Sequence, residues 1–293
     1  MSRFTLSDLA SLSGIKSDTI RIWERRFNLL SPNRTLTNRR WYDDDDLKKI
    51  INISVLYRNG VKISRIAALD DNEIIEKAYS FSGGSGTTGD LTGFLVIAMN
   101  HFDEKAVNEI ILRSVITRGF EKTITEVLFP FLKKVGILWQ TGAIDPSTEH
   151  FITAHFRQRL VSASDSLHSV TTENPKRVLM FLPEGEYHEL GLLYYSYAVK
   201  KKGHHVLYLG QSTPFDSVIS ASGSWSPDAV ITGIHTQLFT PEPGEYLTKL
   251  SAELGRQKIY AGGILSDYAS KLNLKNILPL RTEDDLDSLA LSG

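Results

Sequence analysis

His188 has a carboxylate two residues before it, Glu186, and a glycine three residues after it, Gly191. A carboxylate so placed can accept the proton of one ring nitrogen, fix the tautomer and leave the other nitrogen to a metal. The glycine lets a flat ligand approach the backbone. By itself the triplet describes a solvated loop histidine equally well. Two spaced elements follow it: Gly233-Ile234-His235 after 41 residues (192 to 232), and Gly262-Gly263 after a further 26 (236 to 261). Upstream, Trp139 is followed by nine residues and then Glu149-His150. That set offers an indole to stack, a carboxylate to accept hydrogen bonds and an imidazole to coordinate; a core tryptophan and a solvated corner would leave the same letters. The chain has no cysteine, which excludes disulfides, thiolate metal sites and cysteine nucleophiles. Any metal is held by nitrogen or oxygen, or arrives inside a cofactor. No Ser/His/Asp arrangement or phosphate loop appears.

The elements that must position these residues follow from periodicity. Beyond Asn174-Pro175, apolar runs at Arg177 to Leu182, His204 to Leu209, Ala229 to Ile234, Lys258 to Ala261 and Asn276 to Leu280 read as strands, with Glu189 to Lys202 helical. Such alternation predicts a doubly wound parallel sheet, whose ligands bind at the carboxyl ends of its strands. His188 falls after the first strand, His235 at the end of the third and Gly262-Gly263 after the fourth. From Leu91 to about Leu167, four apolar sets (Phe94, Ile97, Ala98; Val107, Ile110, Ile111; Ile124, Val127, Leu128, Leu132; Phe151, Ala154, Phe156) predict an antiparallel four-helix bundle. Ser80 to Asp90 is rich in glycine and serine and reads as a flexible linker.

The N-terminal segment has a different charge. Residues 1 to 69 carry 13 Lys/Arg against 7 Asp/Glu, while the remainder carries 20 against 27. A basic head on an acidic body points to nucleic acid. Thr5 caps a short helix ended by Gly14, and a second helix from Ser17 or Asp18 has Ile20, Trp23 and Phe27 on its apolar stripe, leaving Thr19, Arg21, Arg25 and Arg26 on other faces. Trp23 is expected in the core. Ser31 to Tyr42 reads as a two-stranded wing with Arg34, Arg39 and Arg40 for phosphates, and Asp43 to Asp46 as the cap of the next helix.

Three stretches resemble known families. Thr-Ile-Arg-Ile-Trp-Glu-Arg-Arg-Phe at 19 to 27, Ser-Pro-Asn-Arg-Thr at 31 to 35 and Arg40-Trp41-Tyr42 resemble the DNA-binding head of MerR-type regulators. The resemblance implies double-stranded operator DNA as partner, with Lys16, Thr19, Arg21, Arg25, Arg26, Arg34, Arg39, Arg40 and Tyr42 as candidate contacts. The spacing of Glu186-x-His188-x-x-Gly191, Gly233-Ile234-His235 and Gly262-Gly263 resembles the cobalamin-binding domains of methionine synthase and the mutases. Gly233 departs from that pattern, standing where the family has a serine that hydrogen-bonds the nucleotide tail; the neighbouring Thr232 is a candidate substitute, and His235 is expected as a strand-end residue. Trp139 with Glu149-His150 resembles the CarH/LitR-type cobalamin-dependent photoreceptor regulators.

What these resemblances imply is a multidomain chain: a MerR-type winged helix-turn-helix domain over 1–75, a linker over 76–90, a four-helix bundle capping the adenosyl side over 91–172, and a flavodoxin-like, Rossmann-like α/β doubly wound cobalamin-binding domain over 173–293. The implied cofactor is adenosylcobalamin. His188 is the implied lower cobalt ligand oriented by Glu186, with Gly191, Gly233, Gly262 and Gly263 around the cofactor. Trp139 would wall the adenosyl group, Glu149 would bond its ribose, and His150 would take the upper cobalt position after light. In the family the dark form assembles, as a tetramer, on operator DNA and light releases it. The expectation is therefore a cytoplasmic, non-enzymatic repressor that pairs with itself as dimer or tetramer and does not enter membranes. Two alternatives remain at this stage: a MerR-type regulator whose sheet domain works without cofactor, and a corrinoid methyl-carrier or mutase subunit.

Overall fold

Thr5 and Asp8 cap each other at the start of α1 (Leu6–Ser13), and Gly14 closes that helix in the left-handed conformation. A short turn leads into α2 (Ser17–Phe27), which Asn28 ends at φ 51°. The wing is a pair of two-residue antiparallel strands, β1 (Asn33–Arg34) and β2 (Arg40–Trp41), in register Asn33 to Trp41 and Arg34 to Arg40. Backbone bonds in both directions between Phe4 and Tyr42, 2.9 Å each, tie the wing to the start of the head. A second capping box, Asp43 with Asp46, opens α3 (Asp44–Arg58). Two further helices follow, α4 (Ile63–Ile66) and α5 (Asp71–Ser82). The computed structural model describes residues 4–34, 40–82, 88–140, 144–167, 170–235 and 242–289.

The linker expected over 76–90 is mostly helix. α5 continues to Ser82, and α6 (Thr88–Asn100) opens before the glycine-rich composition has ended; only 83–87 between them lie outside the described residues. The bundle continues with α7 (Glu104–Arg118), then α8 (Phe120–Lys122), a π-helical turn at Thr123–Leu128, α9 (Phe129–Gln140) and α10 (Pro146–Asp165). The π turn has a local cause. Pro130 has no N–H for the carbonyl four residues back and its ring would strike that carbonyl. Widening the preceding turn relieves both, and the Phe129 N–H bonds to the Ile124 carbonyl five residues back.

Head and bundle pack as one unit, Met1–Ala154, while His155–Gly293 forms a second. By contacts, the division falls inside α10. The second unit is a five-stranded parallel sheet of β3 (Arg177–Pro183), β4 (His205–Thr213), β5 (Ala229–Ile234), β6 (Lys258–Gly263) and β7 (Ile277–Leu280), in the order β4-β3-β5-β6-β7. That is the doubly wound flavodoxin-like order. α11 (Leu190–Lys201) covers one face, with Leu192, Val199 and Tyr260 in its core. On the other face α12 (Phe215–Trp225), α13 (Pro243–Glu253) and α14 (Ile264–Leu272) pack on Val230, Ile234 and Ile259.

Candidate functional site

The carboxyl end of β3 gathers the first set. The loop after it is pinned to β4: Gly185 N–H donates to Ser212 Oγ at 3.1 Å, and Ser212 N–H to the Glu186 carbonyl at 3.0 Å. Within that frame the Glu186 side chain has no solvent exposure. Its Oε1 engages the His188 N–H at 2.8 Å and His188 Nδ1 at 2.6 Å, and its Oε2 accepts the His235 N–H at 2.6 Å. A buried carboxylate with three such contacts fixes the histidine ring, and with Nδ1 engaged, Nε2 is the nitrogen that can meet a metal. The His188 side chain is 68% exposed, as a ligand to an incoming group must be.

Beside it lies a strip without side chains. Gly233 faces Gly262 directly across the β5–β6 register, and a Cβ on Gly233 would stand 3.4 Å from the Gly262 carbonyl. Gly263, at φ 60°, leaves no room for any other residue, because a Cβ there would lie 2.2 Å from the Ile234 carbonyl oxygen. A Cβ on Gly191 would meet His235 Nε2 at 3.6 Å. His235 is the strand-end residue expected. Crowding by these elements strips its hydration and pushes its pKa below the usual imidazole value, with Glu186 opposing and His188 adding to the shift. These residues fit a flat metal-bearing cofactor: an oriented imidazole beside a cradle that side chains would fill.

Thr232 does not supply the hydroxyl that Gly233 lacks. Alternation along β5 gives Thr232 the parity of Val230 and Ile234, which pack under α12, α13 and α14, whereas Gly233 belongs with Ala229 and Ile231 on the α11 face. Thr232 Oγ1 is buried and, among the described residues, has no hydrogen-bond partner.

A network absent from the sequence reading adjoins the loop. Glu189, 6% exposed, receives Arg157 Nε at 2.6 Å and the Tyr208 hydroxyl at 2.9 Å. That contact raises the Arg157 pKa, while burial first and Glu189 second push the Tyr208 hydroxyl up. No spacing rule joins residues 32 apart.

The bundle holds the other set. Trp139, near the end of α9, is 51% exposed and so is not bundle core. At the start of α10 Glu149 accepts the Thr153 hydroxyl at 2.6 Å and lies 3.3 Å from His150 Nδ1; the His150 side chain is 80% exposed.

In the head, Trp23 is buried edge-on to Tyr57, as expected. Arg21, Arg25, Arg34 and Arg40 line a cleft of about 660 Å³ with Asp18 and Asn28. Arg26 and Lys16 are exposed, Thr19 is half-buried, and Arg39 lies outside the described residues. Tyr42 is a correction: its ring has no exposure and its hydroxyl donates to Glu24, which also faces Arg40 at 3.7 Å. The Phe4 bridge turns it inward, so it braces the wing from within and offers DNA no side chain.

Residues 4–73 match the MerR HTH family of regulatory proteins, and residues 95–161 a B12 binding domain family. The chain is 28% identical to the HTH-type transcriptional repressor CarH of Myxococcus xanthus, over 98% of both chains. To the HTH-type transcriptional repressor CarA of the same organism it is 28% identical, over 76% of this chain and 73% of that one. The monomethylamine corrinoid protein of Methanosarcina barkeri shares its fold, with a TM-score of 0.56 at 13% identity, over 70% of this chain and 99% of that one. No helix among the described residues is long and apolar enough to cross a membrane.

Proposed function

We propose, from the premise that this chain is a CarH-type regulator of the MerR family with a B12-binding domain and not an enzyme, that it is a light-responsive transcriptional repressor. In this reading it binds adenosylcobalamin in the dark, assembles with itself on operator DNA in the cytoplasm, and lets go in light. The observation that carries it is the ring of His188, held through Nδ1 by a fully buried Glu186 beside the Gly233–Gly262 strip. When bound, adenosylcobalamin supplies a cobalt–carbon bond that light can cleave. His188 would hold the cobalt through Nε2 and Glu186 would set its tautomer, with Gly191, Gly262 and Gly263 leaving space for the ring. Trp139 would wall the adenosyl group, Glu149 would bond its ribose, and His150 would offer an imidazole to cobalt. The outcome is a change of assembly, which makes the chemistry a switch. The absent hydroxyl at Gly233, with Thr232 facing away, favours one rival, a sheet domain that works without cofactor.

The test is the absorption spectrum of protein mixed with adenosylcobalamin in darkness and again after green light, with size-exclusion profiles of both. Wild type should bind with a histidine ligand and change both spectrum and size on illumination. His188→Ala should lose most of its cobalamin uptake. Uptake and spectra equal to wild type in that variant would defeat the assignment.

A further inference from the structure

The segment expected to separate head from bundle instead ends in a buried contact between them. Asp90, in the first turn of α6, is 1% exposed, and its Oδ1 lies 3.5 Å from Arg58 Nη2 at the end of α3. The same nitrogen donates to Ser54 Oγ at 2.7 Å and to the Ser13 carbonyl at 3.2 Å, while Arg58 Nε donates to the Ser54 carbonyl at 3.2 Å. One guanidinium thus joins the helix-turn-helix corner, α3 and the bundle. Lys134 on α9 has its pKa lowered, first by burial and then by the Arg58 charge, and α9, the helix that carries Trp139, packs against α1. Two further points close it: Asn100 Nδ2 donates to Asp44 Oδ1 at 3.4 Å, and the Ile51 side chain fills the space a Cβ on Gly93 would need, 2.7 Å from Ile51 Cγ2. Breaking one partner out of a buried ion pair is destabilising, so this contact ties the two elements together.

The docked head keeps its DNA face open. Arg21, Arg25, Arg34 and Arg40 line the cleft while α1 and α3 face the bundle. We propose that the bundle positions the DNA-binding head: Arg58 held on Asp90 docks the head in the orientation that takes DNA, and Arg58 is a positioning residue that does not itself touch the duplex. The inference rests on the DNA-binding reading of the head and is independent of the cofactor. Affinity for DNA then reports the state of the bundle, because an undocked head must first be ordered.

The chain provides a clean test because it has no cysteine. A Cβ built on Gly93 lies 3.9 Å from Ile51 Cβ, close to the separation of about 3.8 Å in a disulfide. The probe is a duplex enriched from a random pool by the wild-type full chain. Asp90→Asn should weaken binding by about tenfold with the slope of log affinity against log salt unchanged, because no phosphate contact is lost. Oxidised Ile51→Cys/Gly93→Cys protein should bind like wild type, and the same disulfide added to Asp90→Asn should restore affinity; that rescue separates lost docking from a misfolded variant. Wild-type affinity in Asp90→Asn, failure of the disulfide to form, an altered salt slope, or an oxidised pair that binds only when reduced would each overturn the proposal. If wild type enriches no duplex at all, the DNA-binding reading has failed.

Discussion

His204 shows how a single side chain sets a pH limit on the sheet unit. It is buried, and its Nδ1 accepts the Lys176 N–H at 3.2 Å, a role open only to the neutral ring. Burial first, then the charges of Lys202 and Lys176, push its pKa below 6.5, and His235 shifts the same way. A folded pKa below the unfolded value means that the unfolded chain takes up the proton first, so stability is full above about pH 6.5 and falls as the pH drops below it. Thermal melts from about pH 8 to about pH 5 should show a flat midpoint above neutrality and a decline below, shallower in His204→Asn, whose amide oxygen can still accept; an equal decline in that variant would acquit His204. At the DNA face the relevant residue is Arg34, exposed on the wing. Arg34→Gln should lower duplex affinity and reduce the salt slope by about one; an unchanged slope would remove it from the interface. Residue type alone separated these roles incompletely. Tyr42 shares a tripeptide with Arg40, and only the Phe4 bridge shows that it points inward.

Elements were the most legible level, because their signals are local. Capping boxes at Thr5 and Asp43, Gly14 as a helix stop and continuous apolar runs each act within a few residues, and the five strands lie close to those runs. Two features were not legible. The π turn before Pro130 keeps the same apolar side chains inward, so the pattern around Ile124, Val127 and Leu128 reads as an ordinary helix. The glycine-rich stretch before Asp90 suggested a linker, yet helix extends into it, with Asp90 and Leu91 buried and Asp90 beside Arg58 of the head; tertiary packing overrode composition. The sharpest element-level expectation concerns the β6–α14 junction, where Gly263 sits at φ 60° and the Ile234 carbonyl stands where a Cβ would go. Gly263→Ala combines a conformation closed to alanine with a backbone clash and should cost about 3 kcal/mol or more, read as a lower denaturation midpoint. A loss under about 1 kcal/mol would mean that the strand end relaxes freely and does not form a fixed floor.

For the whole molecule, charge and chemistry are segregated: cations crowd the first 69 residues, and the oriented imidazole lies far along the chain at His188. For the proposed switch, the bundle residues are the decisive ones. Trp139 is half exposed, a wide apolar surface that stacking on a ligand would cover. His150 presents a mostly exposed ring that faces the adjacent Glu149. If His150 acts only after illumination, its imidazole is dispensable in the dark. His150→Ala should then take up adenosylcobalamin and bind the wild-type duplex in darkness as wild type does, while its lit form, lacking the second imidazole, should keep a spectrum without two histidine ligands. The lit size-exclusion profile should revert toward the dark one faster than wild type when fresh adenosylcobalamin is added. Dark and lit spectra collected with those profiles decide the matter: a two-histidine spectrum in the lit variant assigns the trapping role elsewhere, and a wild-type assembly indifferent to light removes the switch altogether.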